Sequence, residues 1–124
     1  MRVIEKNILI VFEERKNTFI PTRDVSLSMR DLVECTSEKA IYRLWGYPIF
    51  MYNKKENYFS FCFCNWSSNT TKSRLNALLN YYNLGGFYQK NYVIYWTYKD
   101  KTLEIDTSKS YKLIKDNTGN VTIR

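Results

Sequence analysis

Histidine is absent from this 124-residue chain, which removes the usual proton carrier near neutral pH and every Ser-His or Cys-His nucleophile pair. A Walker-type phosphate loop and a G-x-G-x-x-G run are also missing, so the sequence lacks the common signatures of nucleotide hydrolysis and dinucleotide binding. The carboxylates Glu104 and Asp106 could serve a metal-dependent reaction, but two apart on an expected strand they equally suit a solvated face. The cysteines Cys35, Cys62 and Cys64 are odd in number and form no C-x-x-C pair, so free thiols in a reducing compartment are expected. Cys62 and Cys64 point the same way on an expected strand and would hold a soft metal only if Cys35 joined them. The expectation is a non-enzymatic protein with no catalytic residue, metal or cofactor. Near the N-terminus the apolar run Ile8–Phe12 stops at Glu13-Glu14, and no stretch approaches the roughly 18 apolar residues of a membrane span. No membrane partner is expected, and the cytosol is the expected compartment.

Hydrophobic residues make up 44% of the chain and charged residues 25%, a globular balance that fits a single domain over residues 1–124. The net charge of +7 favours anionic partners such as nucleotides, nucleic acid or acidic proteins. Ile8–Phe12 reads as a short buried strand, and Asn17 to Pro21 as a turn-forming connection. Val25, Met29, Leu32 and Val33 recur at helical spacing behind Thr22 or Asp24 and predict one short amphipathic helix. Ile41–Met51 and Tyr58–Cys64 flank Asn53–Asn57 as an antiparallel hairpin, with Gly46 and Pro48 marking a bulge, edge or bend. Strands are also expected over Tyr92–Tyr98, Thr102–Ile105, Tyr111–Ile114 and Val121–Ile123. The fold class is therefore α+β, an antiparallel β-sheet with one main amphipathic helix packed on it.

That main helix follows Trp66. Leu75, Leu78, Leu79 and Tyr82 share one face, Asn69 or Thr70 can cap the start, and Gly85-Gly86 can end it. Free N–H groups at the helix start, the hydroxyls of Thr70 and Thr71, the planar fork of Arg74, the amide of Asn76 and the ring of Trp66 together form a candidate ligand-binding site for a nucleotide phosphate. The same residues also suit plain structural duties: threonine as a cap, asparagine as a loop tether, arginine as a solvated or paired charge. Aromatic residues reach 17%, more than a core of this size buries, so some rings are expected to face a partner or an oligomer interface.

Gly46, Pro48-Ile49 and the stretch Trp66–Leu79 resemble a motif of small phage proteins, G-W-x-T-x-T-T-x-x-R-L-N. Trp66, Thr70, Thr71, Arg74, Leu75 and Asn76 match it, while Asn65 replaces the first glycine and Ser68 the first threonine. In size, Lys- and Tyr-rich composition and lack of catalytic residues, the chain also resembles the phage Thoeris anti-defence family of signal sponges. That resemblance implies a homo-oligomer in the host bacterial cytoplasm that sequesters a cyclic ADP-ribose-type signal, or a related cyclic nucleotide, without cleaving it. The alternative is a phage inhibitor acting on a host protein or nucleic acid through its basic surface. Because the charge is positive, that inhibitor would not be a DNA mimic.

Overall fold

The structure, a computed structural model, describes residues 2–22 and 24–124. Along the chain run helix α1 (Val3–Glu14), strand β1 (Thr18–Phe19), a 3-10 turn at Val25–Leu27, then β2 (Asp31–Cys35), β3 (Lys39–Leu44), β4 (Tyr47–Asn53) and β5 (Tyr58–Cys62). Helix α2 (Asn69–Tyr81) follows, then β6 (Gly86–Lys90), β7 (Val93–Tyr98), β8 (Lys101–Glu104), β9 (Ser110–Lys115) and β10 (Val121–Ile123). One sheet has the order β1-β2-β3-β4-β5-β9-β10, and β6-β7-β8 form a second. Every pairing is antiparallel, as the α+β expectation requires.

Several segments depart from what their residues predict. Thr18–Phe19, inside the expected turn-forming connection, pairs with β2 as a short strand, and Gly86–Lys90 forms a strand where only a helix end is expected. Ile8–Phe12 lies within α1 and is not a strand. Its β-branched run favours extended chain locally, but Ile8, Leu9 and Phe12 form a buried stripe at helical spacing, and packing overrides propensity. The Arg2 N–H donates to Glu5 Oε1 at 3.1 Å to open the helix, and Arg15 closes it in the left-handed conformation at φ 56°. The helix expected from Val25 to Val33 is a 3-10 turn followed by β2. Here the period is two: Asp31 and Val33 are buried while Leu32 and Glu34 are only partly covered, because Val33 pairs with Tyr42 of β3. Met29, counted on the apolar face of that helix, is exposed.

The hairpin around Asn53–Asn57 forms as expected, and α2 starts and stops within a few residues of its predicted ends. The long first run breaks in two at Trp45-Gly46, which joins β3 to β4. The register then slips, with Tyr42 opposite Phe50 and Arg43 opposite Pro48, so Ile49 is the extra residue of a bulge. The core gathers Phe12 of α1, Leu75 and Leu79 of α2, Tyr42 and Phe50 of the large sheet and Trp96 of the small one. Burial of each such apolar side chain contributes about 1.5–3 kcal/mol.

Candidate functional site

The chain enters α2 through two residues with positive φ, Cys64 at 54° and Asn65 at 61°. Asparagine tolerates this conformation better than other side-chain-bearing residues, which suits Asn65 to its place in the turn. Ser68 is the N-cap, rather than Asn69 or Thr70. Its hydroxyl accepts from the Thr71 N–H at 3.2 Å and lies 2.9 Å from the Thr71 hydroxyl, so Thr71 is consumed by capping and is buried.

Arg74 lies inside the protein, 2% exposed. Its Nε meets Asp31 Oδ1 and its Nη1 meets Glu5 Oε2, each at 3.2 Å. The same two carboxylates hold more partners: Arg30 Nε donates to Asp31 Oδ2 at 2.8 Å, the Tyr42 hydroxyl donates to Asp31 Oδ1, and the Ser73 hydroxyl to Glu5 Oε2. Burial opposes the Arg74 cation, but the Tyr42, Asp31 and Glu5 groups around it outweigh that and raise its pKa. Burial, then the charge and hydrogen bond of Asp31, likewise push the Tyr42 hydroxyl well above its ordinary value. Arg74 thus ties α2 to α1 and β2 and leaves no fork for a ligand phosphate.

Asn76 makes a comparable bridge on the other flank. The Phe87 N–H donates to Asn76 Oδ1 at 2.7 Å, and Asn76 Nδ2 donates to the Phe87 carbonyl at 3.4 Å, so one amide satisfies both backbone groups of a β6 residue. Of the five residues singled out for ligand binding, Thr71, Arg74 and Asn76 have their polar groups engaged within the fold, and Thr70 is partly covered. Trp66 alone presents a large surface, 39% exposed, with its ring edge-to-face on Tyr47 at 6.1 Å.

At the opposite end of α2 the arrangement reverses. A cleft of about 710 Å³ opens between the end of the helix, the β6–β7 strands and the β9–β10 turn. Asn80, Asn83, Gly85, Gly86, Thr97, Tyr98, Lys99, Lys115 and Gly119 line it, with no carboxylate among them. Lys115 Nζ sits 3.2 Å from the Tyr82 carbonyl, and Lys99 Nζ lies 3.4 Å from Asn120 Oδ1 and 5.3 Å from the centre of the Tyr98 ring. The Tyr98 hydroxyl donates to the Gly119 carbonyl at 2.8 Å, which fixes the ring against the turn. Beside the cleft, the Asp116 carboxylate accepts from the Thr118 hydroxyl and from the N–H groups of Thr118 and Asn120. The Thr118 hydroxyl is the main reason its pKa is lowered.

Gly85 is required at this wall. Its φ is +98°, and a Cβ there would come within 2.5 Å of the Thr97 carbonyl oxygen and 2.8 Å of Trp96 Nε1. None of the cleft residues was singled out from sequence as ligand-binding, Gly85 and Gly86 having been named only as a helix end, because they are single lysines, asparagines and turn glycines from four separate segments. Among the described residues no three Cys, Asp or Glu side chains cluster as a metal site; the Cys64 N–H donates to Cys62 Sγ at 3.1 Å, while the Cys35 thiol faces the Lys16 carbonyl. No helix of the described residues is long and apolar enough to cross a membrane.

A family model described as Kyanoviridae Gp96 protein matches residues 1–118. No curated protein and no solved structure matches the chain.

Proposed function

The chain belongs to the Kyanoviridae Gp96 family of phage proteins, and we propose that it is a non-catalytic capture protein of the host cytoplasm that sequesters an anionic nucleotide signal of the cyclic ADP-ribose type. The observation that carries this reading is the cleft at the end of α2, where the ammonium groups of Lys99 and Lys115 meet side-chain amides and a tyrosine ring without a lining carboxylate. Its volume of about 710 Å³ falls in the range of roughly 300–1,000 Å³ that encloses small ligands. Lysines supply charge for a diphosphate, Asn80 and Asn83 supply hydrogen bonds, and Tyr98 supplies an apolar wall.

Capture differs from the site first expected in its location, not in its logic. Sequestration needs affinity and copy number and no bond-breaking residue, which suits a chain without histidine. Assembly of several copies, which the resemblance to signal sponges implies, would multiply the sites per particle.

Calorimetric titration with cyclic ADP-ribose isomers and cyclic oligonucleotides tests this directly. One member of the panel should bind, should be recovered intact after heat denaturation, and should lose affinity when Lys99→Glu and Lys115→Glu are combined. A panel without any binder would overturn the reading, and recovery of a cleaved product would overturn its non-catalytic part. Light scattering with and without ligand reports the assembly.

A further inference from the structure

We propose that the opposite end of the molecule, where α2 begins, binds single-stranded nucleic acid along exposed aromatic rings that run from the β3–β4 hairpin to the β6–β7 hairpin. This surface is separate from the cleft and does not depend on it.

The charge of the chain is unevenly placed. Residues 39–99 contain eight Lys and Arg against one acidic residue, Glu56, a balance of +7 equal to that of the entire protein, while the remaining residues carry eleven of each sign. From Asn57 to Lys99 no carboxylate side chain occurs, and residues 39–99 hold 18 of the 21 aromatic residues. Arg74 is internal and Arg43 pairs with Glu34, so lysines carry the free charge of this stretch.

Structure then brings several exposed rings to one end. Trp45 is 43% exposed and Tyr47 49%, and the Tyr47 ring contacts Trp66, two residues ahead of the α2 cap. From the first turn of α2, Lys72 Nζ reaches Gln89 Oε1 of β6, which places the β6–β7 hairpin beside the same end. On the outer face of that hairpin Tyr88 and Tyr95 stack with centroids 5.2 Å apart and planes 20° apart, with Lys90 next on that face and Tyr92 at the tip, 95% exposed. Glu104, cross-strand from Tyr95, bounds the track on its far side.

Backbone geometry shows that this exposure comes at the expense of stability. Both hairpins have two-residue loops in which both residues have positive φ: 50° and 85° at Trp45-Gly46, 52° and 66° at Asn91-Tyr92. Such turns favour Asn-Gly, so Trp45 and Tyr92 hold a conformation that bulky residues avoid, while their rings remain in solvent. An unpacked aromatic ring at a strained tip is expected where something outside the chain covers it.

Single-stranded nucleic acid fits this surface in both of its components. Bases stack on exposed rings whatever their identity, and Lys72 and Lys90, neither of which is in an ion pair among the described residues, neutralise phosphates. A second copy of this chain would bring the same lysines against each other.

Fluorescence anisotropy of labelled oligothymidylate and oligouridylate strands of about 15 nucleotides, with a duplex of equal length for comparison, tests the assignment. Both single strands should bind more tightly than the duplex, and binding should weaken between about 50 and 200 mM salt. Combining Lys72→Glu with Lys90→Glu should reduce the salt slope by about two, and Tyr92→Asn should weaken single-strand binding roughly tenfold with an unchanged circular-dichroism spectrum. Tyr88→Ala should act in the same direction, and Tyr92→Asn decides if that variant fails to fold. Absence of binding at the lower salt would overturn the proposal. So would equal affinity for the duplex with no effect of Tyr92→Asn, which would reduce the interaction to charge alone, and so would loss of binding only on Lys99→Glu with Lys115→Glu, which would assign it to the cleft.

Discussion

The two ends of α2 use polar side chains in opposite ways. At its start Thr71, Arg74 and Asn76 are spent on the fold: a cap, a buried ion network and a bridge to β6. Around its end Asn80, Asn83, Lys99 and Lys115 border an open cleft. The stretch that draws attention as a motif is thus an assembly device joining α1, β2 and the small sheet, and the residues free to meet a ligand carry no motif. A dense polar pattern in sequence is ambiguous between these duties because both need the same donors at a helix terminus.

Arg74→Ala should break that contrast most forcefully. Removing the guanidinium leaves Glu5, 4% exposed, as a buried carboxylate without its arginine, and leaves Asp31, 0% exposed, with Arg30 as its remaining ion partner, and a loss of about 3–5 kcal/mol is expected in urea denaturation. Retention of near-native stability would return Arg74 to the candidate ligand residues. Asn76→Ala leaves the Phe87 N–H without its acceptor and should cost about 1–3 kcal/mol. Amide exchange at Phe87 should then accelerate more than exchange in β3.

Alkali probes the turn that leads into α2. Burial, followed by the hydrogen bond and charge of Cys62, pushes the Cys64 thiol up to about 12 from an ordinary 9.0. The folded state therefore holds that proton more tightly than the unfolded state. Its contribution is complete below pH 9.0 and declines as pH rises toward 12, so melting temperature should fall across that window and Cys64→Ser should flatten the fall. Trp45→Asn should move stability the other way, by about 1 kcal/mol in favour of the fold, because it places Asn-Gly in a turn that demands positive φ. The smallest change in stability belongs to the cleft. Lys99→Glu with Lys115→Glu should shift the unfolding midpoint by no more than the equivalent of about 0.5 kcal/mol while abolishing nucleotide capture.

Much of the large sheet was legible because its hairpins are local: Tyr47–Asn53 and Tyr58–Cys62 are joined by a four-residue polar turn, Lys54-Lys55-Glu56-Asn57. The face of α2 was legible for the same reason, since Leu75, Leu78 and Leu79 report one period. Helix α1 was not, because Ile8 to Val11 prefer strand and only contact with α2 and the sheet selects helix. The β2 strand was hidden by apolar residues that also fit a helical period, and its buried Asp31 makes sense only once Arg74, 43 residues later, is beside it. For the candidate site, Trp66 is 39% exposed, but the burial of Arg74 could not be read without knowing that Glu5 and Asp31 converge on it.

The pairing of β5 with β9 has a consequence for the order in which the molecule can be made. Cys62 lies opposite Ser110, so residues 63–109, with α2 and the whole small sheet, loop out between two neighbouring strands. During synthesis α1, β2 and α2 can meet around Arg74 while the large sheet still has an open edge at β5. That edge, carrying Phe59 and Phe61, stays available to other chains until β9, Ser110–Lys115, has left the ribosome. A chain truncated after Lys109 should therefore aggregate, even though it retains both helices and every residue of the buried ion network.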